Sequence, residues 1–297
     1  MTNNWTQQKE RGVEWLILLI RWIALHLGRG VARLFLFPIT LYFLFSAKNS
    51  VLGSKDFFIR TKLYPPSWLN VAKHIHCFSS TILDRVFFLT GRFDHFNIGY
   101  HNLDIVIQNV SPDKGCILLG SHHGSFEVLR ALNYKKNKIP LKVLMNLDHN
   151  ALMTKILNSL NPGISQSVIE LGKTDSMIKA MEFYDQGYLI SLLADRHSSD
   201  ADVKFVNCKF FGEWIKIPTG PFQLAIALKS PIIVFFGVYK GKNNYDICFE
   251  LLTPSTDCKR DQRDKYIQLI AQDYVNYLEQ YVRKNPFNWF NFYHYWG

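Results

Sequence analysis

From about residue 101 onward, short apolar runs alternate with longer segments that have helical spacing. The expected strands are Asp104–Val110, Cys116–Gly120, Lys142–Asn146, Ser167–Leu171, Leu189–Asp195, Pro231–Tyr239 and Tyr245–Leu252. The expected helices are Ser125–Leu132, Ala151–Leu160, Asp175–Asp185, Pro221–Leu228 and Lys259–Arg283. Such alternation predicts an α/β domain, residues 101–297, whose sheet is covered by helices on both faces.

Two apolar runs, Trp15–Leu27 and Val31–Phe45, precede this region. Each is shorter than the roughly 20 residues that a helix perpendicular to the membrane needs. Arginines border them, and Pro38 interrupts the second. We expect residues 1–47 to form a helical hairpin that lies in the membrane surface, with apolar side chains among the acyl chains and arginines at anionic headgroups. A hairpin buried against a soluble core is the alternative.

Between the hairpin and the α/β domain, residues 48–100 are expected to form a helical connecting region. Pro65 and Pro66 break the chain there, and Trp68 to Leu89 has the apolar spacing of a helix. Aromatic side chains return at the C-terminus, from Phe287 to Trp296. This run is expected either to pack on the domain or to lie among lipid headgroups.

The net charge of +10 is typical of a chain that meets anionic partners. Many of the early positive charges flank apolar runs, which favours a membrane surface. No helix-turn-helix, RNP-type or zinc-finger spacing supports a nucleic-acid partner. The five cysteines are scattered without a C-x-x-C pair, so neither a disulfide framework nor a zinc site is expected.

The sequence Gly120–Ser125, GSHHGS, follows an expected strand and opens a helix. Small residues such as Gly124 and Ser125 allow a substrate to approach the backbone, and the helix start favours developing negative charge. His122 and Glu127 lie five residues apart. If His122 lies in the loop and Glu127 in the first turn, the carboxylate can orient the imidazole as a general base. A capping histidine and a solvated glutamate are the alternative.

Other chemistry fits this segment less well. Ser121 lacks the G-x-S-x-G frame of a serine hydrolase, because Leu119 and His123 occupy the glycine positions. His122, His123 and Glu127 lack the H-E-x-x-H order of a zinc site.

Four blocks in order resemble the lysophospholipid acyltransferase superfamily, in the branch of the lipid A late (lauroyl or myristoyl) acyltransferases. His122 to Glu127 is similar to the H-x4-D/E block, and Ala194–Asp200 to a D-R block. Phe210–Ala225 is similar to an F-G…P-x-G-P block, and Asn288–Trp296 to the aromatic tail of one bacterial subgroup. The resemblance implies a glycerolphosphate-acyltransferase-type α/β sandwich.

The resemblance also implies roles for particular residues. His122 corresponds to the catalytic base and Glu127 to its acidic partner, whereas His123 stands where an apolar residue is usual. Arg196 corresponds to a basic residue near a substrate phosphate. Asp195 is expected either to take part in catalysis or to hold Arg196 in a bidentate pair. Thr219 and Gly220 belong to a loop that shapes the acceptor site or only turns a strand into a helix.

The implied reaction is transfer of a fatty acyl group from an acyl-carrier protein or acyl-CoA to a hydroxyl or amine of a lipid or glycolipid. The implied place is the cytoplasmic face of a bacterial inner membrane, with no metal and no prosthetic group. Amides of the Gly120–Ser125 loop are expected to hold the oxyanion. A thioesterase or lipid hydrolase and a non-catalytic lipid-binding protein are the alternatives.

Overall fold

The computed structural model describes residues 22–133, 139–145, 166–172, 175–196 and 203–296. Its α-helices are α1 (Gly28–Ser46), α2 (Lys48–Thr61), α3 (Trp68–Leu89), α4 (Leu103–Gln108), α5 (Ser176–Tyr184), α6 (Gly220–Leu228) and α7 (Arg263–Lys284). Short 3-10 helices include Phe126–Asn133 and Pro286–Asn288. The expected helix Ala151–Leu160 and most of the apolar run Trp15–Leu27 lie outside the described residues.

Seven strands form one sheet in the order β1-β9-β8-β2-β5-β3-β4. They are β1 (Asn97–His101), β2 (Cys116–Gly120), β3 (Leu141–Met145), β4 (Val168–Glu170), β5 (Leu189–Leu193), β8 (Ile232–Gly241) and β9 (Asn244–Thr253). Neighbours pair in parallel except β8 and β9. A separate antiparallel hairpin joins β6 (Phe205–Phe210) to β7 (Glu213–Pro218). This mixed α/β architecture confirms the fold class expected from the alternation.

The central strand β2 shows why its sequence is apolar at every position, since all five residues are buried. Ile117 and Leu119 belong to the core on the face of the sheet that carries α6 and α7. Leu118 belongs to the opposite core, with Leu83 and Phe88 of α3. A strand that is covered on both faces has no polar side, and therefore reads as a continuous apolar run.

One expected strand is wrong. Residues 104–108 of the run Asp104–Val110 lie in helix α4, and the edge of the sheet is formed by β1 instead. Asn102, with a φ of 59°, turns the chain before the helix, and its Nδ2 donates to the Phe249 carbonyl at 3.2 Å. Only Val106 of α4 is buried. Tertiary contacts at the sheet edge therefore override the strand propensity of the β-branched residues. Neither β1 nor the β6–β7 hairpin was expected.

The arginines of α1 bind protein groups. Arg29 donates to both oxygens of Asp84 at 2.7 and 2.8 Å, and Asp84 also accepts from Tyr245 at 2.8 Å. Arg33 donates to the Tyr239 hydroxyl at 2.9 Å. The expectation that these arginines meet lipid headgroups is therefore wrong, because the domain supplies their partners.

The opposite side of α1 is exposed and apolar, as the side chains of Leu34, Leu41 and Phe45 show. Within the described part of the chain, α1 is the one helix long and apolar enough to cross a membrane, judged by length and composition.

The C-terminal aromatic run packs on the domain. Trp289, Phe290, Tyr295 and Trp296 are all buried, and Trp289 lies in the core beneath α7 and β6. Of the two alternatives for this run, the structure therefore shows packing on the domain. The run brings Phe290 and Asn291 to the ends of the central strands.

Candidate active site

Strand pairing brings two chain segments together that are distant in sequence. Strands β2 and β5 are parallel neighbours, and Gly120 pairs with Leu193 at their ends. The Ala194 amide continues the pairing by donating to the Gly120 carbonyl at 3.1 Å. His122 and Asp195 each lie two residues beyond the last pair. The two side chains therefore emerge side by side at the carboxyl edge of the sheet, where α/β proteins place their ligands.

His122 and Asp195 are joined by two hydrogen bonds. The imidazole Nδ1 lies 2.9 Å from Asp195 Oδ1, and the His122 amide donates to Oδ2 at 3.0 Å. Asp195 is fully buried, and the His122 side chain is 26% exposed. Burial alone disfavours the carboxylate, but the contacts with His122 and the nearby Arg196 hold the pKa of Asp195 at about 2. Because an ionised carboxylate only accepts, Nδ1 carries the proton and Nε2 has a free lone pair.

The surroundings of His122 favour the neutral imidazole. Burial lowers its pKa first, and the positive charge of Arg196 lowers it further, against the opposing effect of Asp195. A neutral ring with an unprotonated Nε2 is the form that a general base needs near neutral pH.

Glu127 lies in a different ion cluster. Its Oε1 accepts from Arg85 of α3 at 2.7 and 3.0 Å, and its Oε2 accepts from Arg130 at 2.8 Å. The two arginines overcome the cost of burial and hold the pKa of Glu127 at about 2. The structure therefore places Asp195, and not Glu127, against the His122 ring. The predicted contact between Glu127 and His122 is therefore wrong. It was based on the five-residue offset alone, which does not show that two arginines bind the Glu127 carboxylate.

The neighbouring His123 has a different environment. Its side chain lies in the core beside Phe236, with only 2% of the residue exposed. Its Nε2 lies 3.1 Å from the Asn285 carbonyl, and burial lowers its pKa to about 4. Since a carbonyl only accepts, that nitrogen carries a proton. The geometry therefore favours His122 as the base.

The small residues of the loop serve its packing against β8. Gly124 has a φ of +77°, and a Cβ there would lie 2.1 Å from the Gly237 carbonyl oxygen. The Gly124 amide donates to Asn288 at 2.8 Å, and the Ser125 amide donates to Gly237 at 2.7 Å. The amides of His122, Gly124 and Ser125 are thus bound to protein oxygens. The group that approaches the loop backbone closely is strand β8 at Gly237, and not a substrate as predicted. Because these three amides are already bound, they do not form the expected oxyanion hole.

Asn291 is a site residue that the sequence analysis missed. Its Nδ2 donates to Asp195 Oδ2 at 3.1 Å, and its Oδ1 accepts from Arg196 Nε at 2.6 Å. Arg196 also donates to the Phe290 carbonyl at 3.0 Å. Asn291 therefore lies between the D-R pair and takes the contact that a bidentate Asp195–Arg196 pair would make. Asn288 and Asn291 are the two asparagines of the aromatic run, and both are buried; an amide within such a run is the sequence signal that marks them.

Thr219 and Gly220 lie at the turn from β7 into α6. The Thr219 amide donates to the Lys204 carbonyl at 2.9 Å, and Thr219 accepts from the amides of Phe222 and Gln223. These contacts, with Pro221 in the first turn of α6, account for a rigid turn. The described segments hold no group of three or more His, Cys, Asp and Glu side chains arranged for a metal ion.

The model of the family described as bacterial lipid A biosynthesis acyltransferase matches residues 51–297. Solved structures that resemble the chain include the 1-acyl-sn-glycerophosphate (LPA) acyltransferase from Thermotoga maritima. That likeness has a TM-score of 0.37 and 14% identity, and it covers 84% of this chain and 97% of the other. Among curated proteins, no significant match was found. The family match spans most of the chain and includes His122 and Asp195. The chain belongs to the bacterial lipid A biosynthesis acyltransferase family and is an acyltransferase.

Proposed function

We propose that this enzyme transfers a fatty acyl group from an acyl thioester, on acyl-carrier protein or CoA, to a hydroxyl or amine of a lipid or glycolipid acceptor. The observation that carries the proposal is the pairing of His122 with the buried Asp195 carboxylate. This pairing leaves Nε2 unprotonated on a side chain that is still partly exposed.

In the proposed reaction, His122 Nε2 takes the proton of the acceptor hydroxyl or amine as the acceptor atom attacks the thioester carbonyl. The carbonyl becomes a tetrahedral oxyanion. When it collapses, the carbon–sulfur bond breaks and the thiolate takes the proton from His122. The products are an ester or amide and a free thiol. Asp195 keeps the ring in one tautomer and stabilises the imidazolium between the two steps.

Other site residues have supporting roles in the proposal. Arg196, close enough to lower the pKa of His122, binds an anionic group of donor or acceptor. Glu127 fixes the 3-10 helix that follows the catalytic loop by holding Arg85 and Arg130. The exposed Gly220, with Thr219 before it, lines the path of substrate, whereas Gly124 and Ser125 hold the loop against β8. The reaction as proposed needs neither metal nor prosthetic group.

We further propose that the enzyme acts at the cytoplasmic face of a bacterial inner membrane. The exposed apolar side of α1 supports this placement, since lipid would cover it. The ion pair of Arg29 with Asp84 fixes α1 to the domain, and so fixes the orientation of the active site relative to the lipid.

The test measures acyl transfer to membrane lipid extracts by mass spectrometry, with acyl-carrier-protein and CoA thioesters offered separately. His122→Ala should lower turnover roughly 10²–10⁴-fold, the usual contribution of a general base. His123→Ala is the matched control and should mainly lower stability, because that ring is buried in the core. Wild-type turnover in His122→Ala, with loss in His123→Ala, would reassign the base. Release of free fatty acid without an acceptor product would indicate a thioesterase.

A further inference from the structure

Helix α2 presents a row of alternating cations and apolar side chains. Lys48, Leu52, Lys55 and Ile59 follow one another at spacings of four and three residues, which places them on one face, and the exposed Lys62 follows directly after the helix as its C-cap. Leu52 is 53% exposed and Ile59 is 58% exposed. The one acidic residue of α2, Asp56, accepts a hydrogen bond from Arg60 at 3.0 Å, so it does not neutralise the lysines of the row. We call this face the α2 row.

The start of α3 continues the α2 row. The Lys55 ammonium lies 4.2 Å from the centre of the Trp68 ring, which links the two helices on the outside of the protein. Trp68 is 55% exposed and Leu69 is 65% exposed. Exposed tryptophan beside lysine is typical of side chains at the boundary between water and lipid.

The opposite face of α2 is fixed to the C-terminal run. A Cβ on Gly53 would lie 2.5 Å from the Phe292 backbone, so the helix and the run are in direct backbone contact. Ser54 lies 2.8 Å from His74 Nδ1, and the other nitrogen of His74 contacts the Trp289 carbonyl. Because this run carries Asn291, the exposed row has a fixed orientation relative to the His122–Asp195 pair.

We infer that the α2 row, with Trp68 and Leu69, is a second membrane-docking surface that binds anionic lipid independently of the N-terminal apolar region. The lysines would meet phosphate headgroups, and Leu52, Ile59, Trp68 and Leu69 would enter the acyl boundary. The inference rests on the proposed function, because that proposal has the enzyme act on lipid at a membrane. A symmetric contact between two copies fits less well, because it would oppose the same three lysines.

The experiment measures partition of the purified full-length protein into vesicles of phosphatidylethanolamine with phosphatidylglycerol, and into vesicles of phosphatidylcholine. The triple variant K48Q/K55Q/K62Q should bind the anionic vesicles at least about tenfold more weakly, given the usual contribution of each lysine near such a surface. Its binding to phosphatidylcholine should change little. The matched control, K114Q/K259Q/K265Q, removes the same charge from exposed lysines outside the α2 row and should retain wild-type partition.

A second pair of variants tests the apolar contribution. L52S/I59S should weaken binding to both kinds of vesicle. Its control, L269S/I107S, removes the same residue types at 56% and 55% exposure from other surfaces and should have no effect. Equal partition of the α2 variants and their controls would overturn the inference. A change in the mass of the detergent-solubilised protein without a change in partition would indicate a contact between copies, and would also overturn it.

Activity distinguishes this inference from the proposed function. Both α2 variants should keep acyl transfer within about twofold in detergent with solubilised substrates, since the α2 row lies apart from His122. Unchanged vesicle binding with intact activity would refute the surface alone. Absence of acyl-transfer product from the wild-type enzyme would refute the proposed function, whatever the vesicles show.

Discussion

The carboxyl edge of the central sheet and the N-terminal helices depart from the usual distribution of side chains in opposite ways. At the sheet edge, charged groups are buried: Asp195 is fully buried and Glu127 is 5% exposed. Across residues 22–69, apolar groups are exposed: fourteen of the twenty-two large exposed hydrophobic residues among the described ones lie there. Each departure is unfavourable unless a partner compensates for it.

The two regions differ in whether the group that compensates for the unfavourable side chains belongs to the protein. At the sheet edge the protein supplies it, since His122, Asn291 and two arginines satisfy the carboxylates. On α1 and the α2 row the protein leaves the apolar surface uncovered, and the proposed partner is lipid. Variants at the sheet edge should therefore alter chemistry or folding, whereas variants on the helices should alter membrane partition.

The largest effect is expected from Asp195→Asn. The amide has the same shape but lacks the charge that fixes the His122 tautomer and stabilises the imidazolium. We expect kcat/KM to fall roughly 10⁴-fold, as when the carboxylate partner of a catalytic histidine is neutralised. Activity is measured in detergent and thermal unfolding is followed alongside. A loss of less than threefold in folded protein would show that Asp195 does not orient the base.

Glu127→Gln should act first on stability. The substitution removes the charge of the carboxylate that the partly buried Arg85 and Arg130 share, and breaking such a pair typically costs about 3 kcal/mol of unfolding free energy. Glu182→Gln, on the exposed side of α5, is the control.

The pH dependence of stability gives a second test of Glu127. Because the folded pKa of Glu127 is about 2, below its ordinary 4.5, its contribution to the free energy of unfolding is present above pH 4.5 and is lost as the pH falls towards 2. Chemical denaturation between pH 6 and 3 should show a weaker acid destabilisation in the variant. Equal slopes would contradict the ion cluster.

Asn291→Leu should have the smallest effect of the three. The leucine is of similar size but removes the hydrogen bonds to Asp195 and Arg196. We expect roughly a tenfold fall in kcat/KM, since a lost partner for a buried charged group costs about 1–3 kcal/mol. If Arg196 binds an anionic substrate, KM should rise along with the fall in kcat. Asn276→Leu on the exposed side of α7 is the control. A change in stability alone would assign Asn291 a purely structural role.

Much of the fold could be predicted from the sequence, because many helices and strands have a local pattern of apolar residues that is typical of that element. The helix Trp68–Leu89 was predicted with its observed bounds, and β2 was recognised by its uninterrupted apolar run. The wrong strand at residues 104–110 shows the limit. There β-branched residues suit a strand, but the positive φ of Asn102 and the pairing of β1 with β9 determine the result.

The site was only partly predictable. His122 and the D-R pair were found as separate blocks, but their contact spans 73 positions and depends on β2 and β5 being neighbours. The five-residue offset suggested that Glu127 contacts His122. In the structure Glu127 binds Arg85 instead, which lies 42 positions earlier in the sequence. Local spacing cannot reveal a competing charge that arrives through tertiary packing.

Catalysis as proposed depends on Asp195, which holds His122 in the tautomer with a proton on Nδ1 and a free Nε2. The most direct measurement is the ¹⁵N spectrum of the histidine-labelled enzyme near neutral pH, with His122 assigned by its loss in His122→Gln. We expect a neutral His122 ring with a protonated Nδ1 in wild type and in Glu127→Gln, and loss of that tautomer in Asp195→Asn. A ring protonated on Nε2, or a tautomer that depends on Glu127 and not on Asp195, would contradict this role of Asp195.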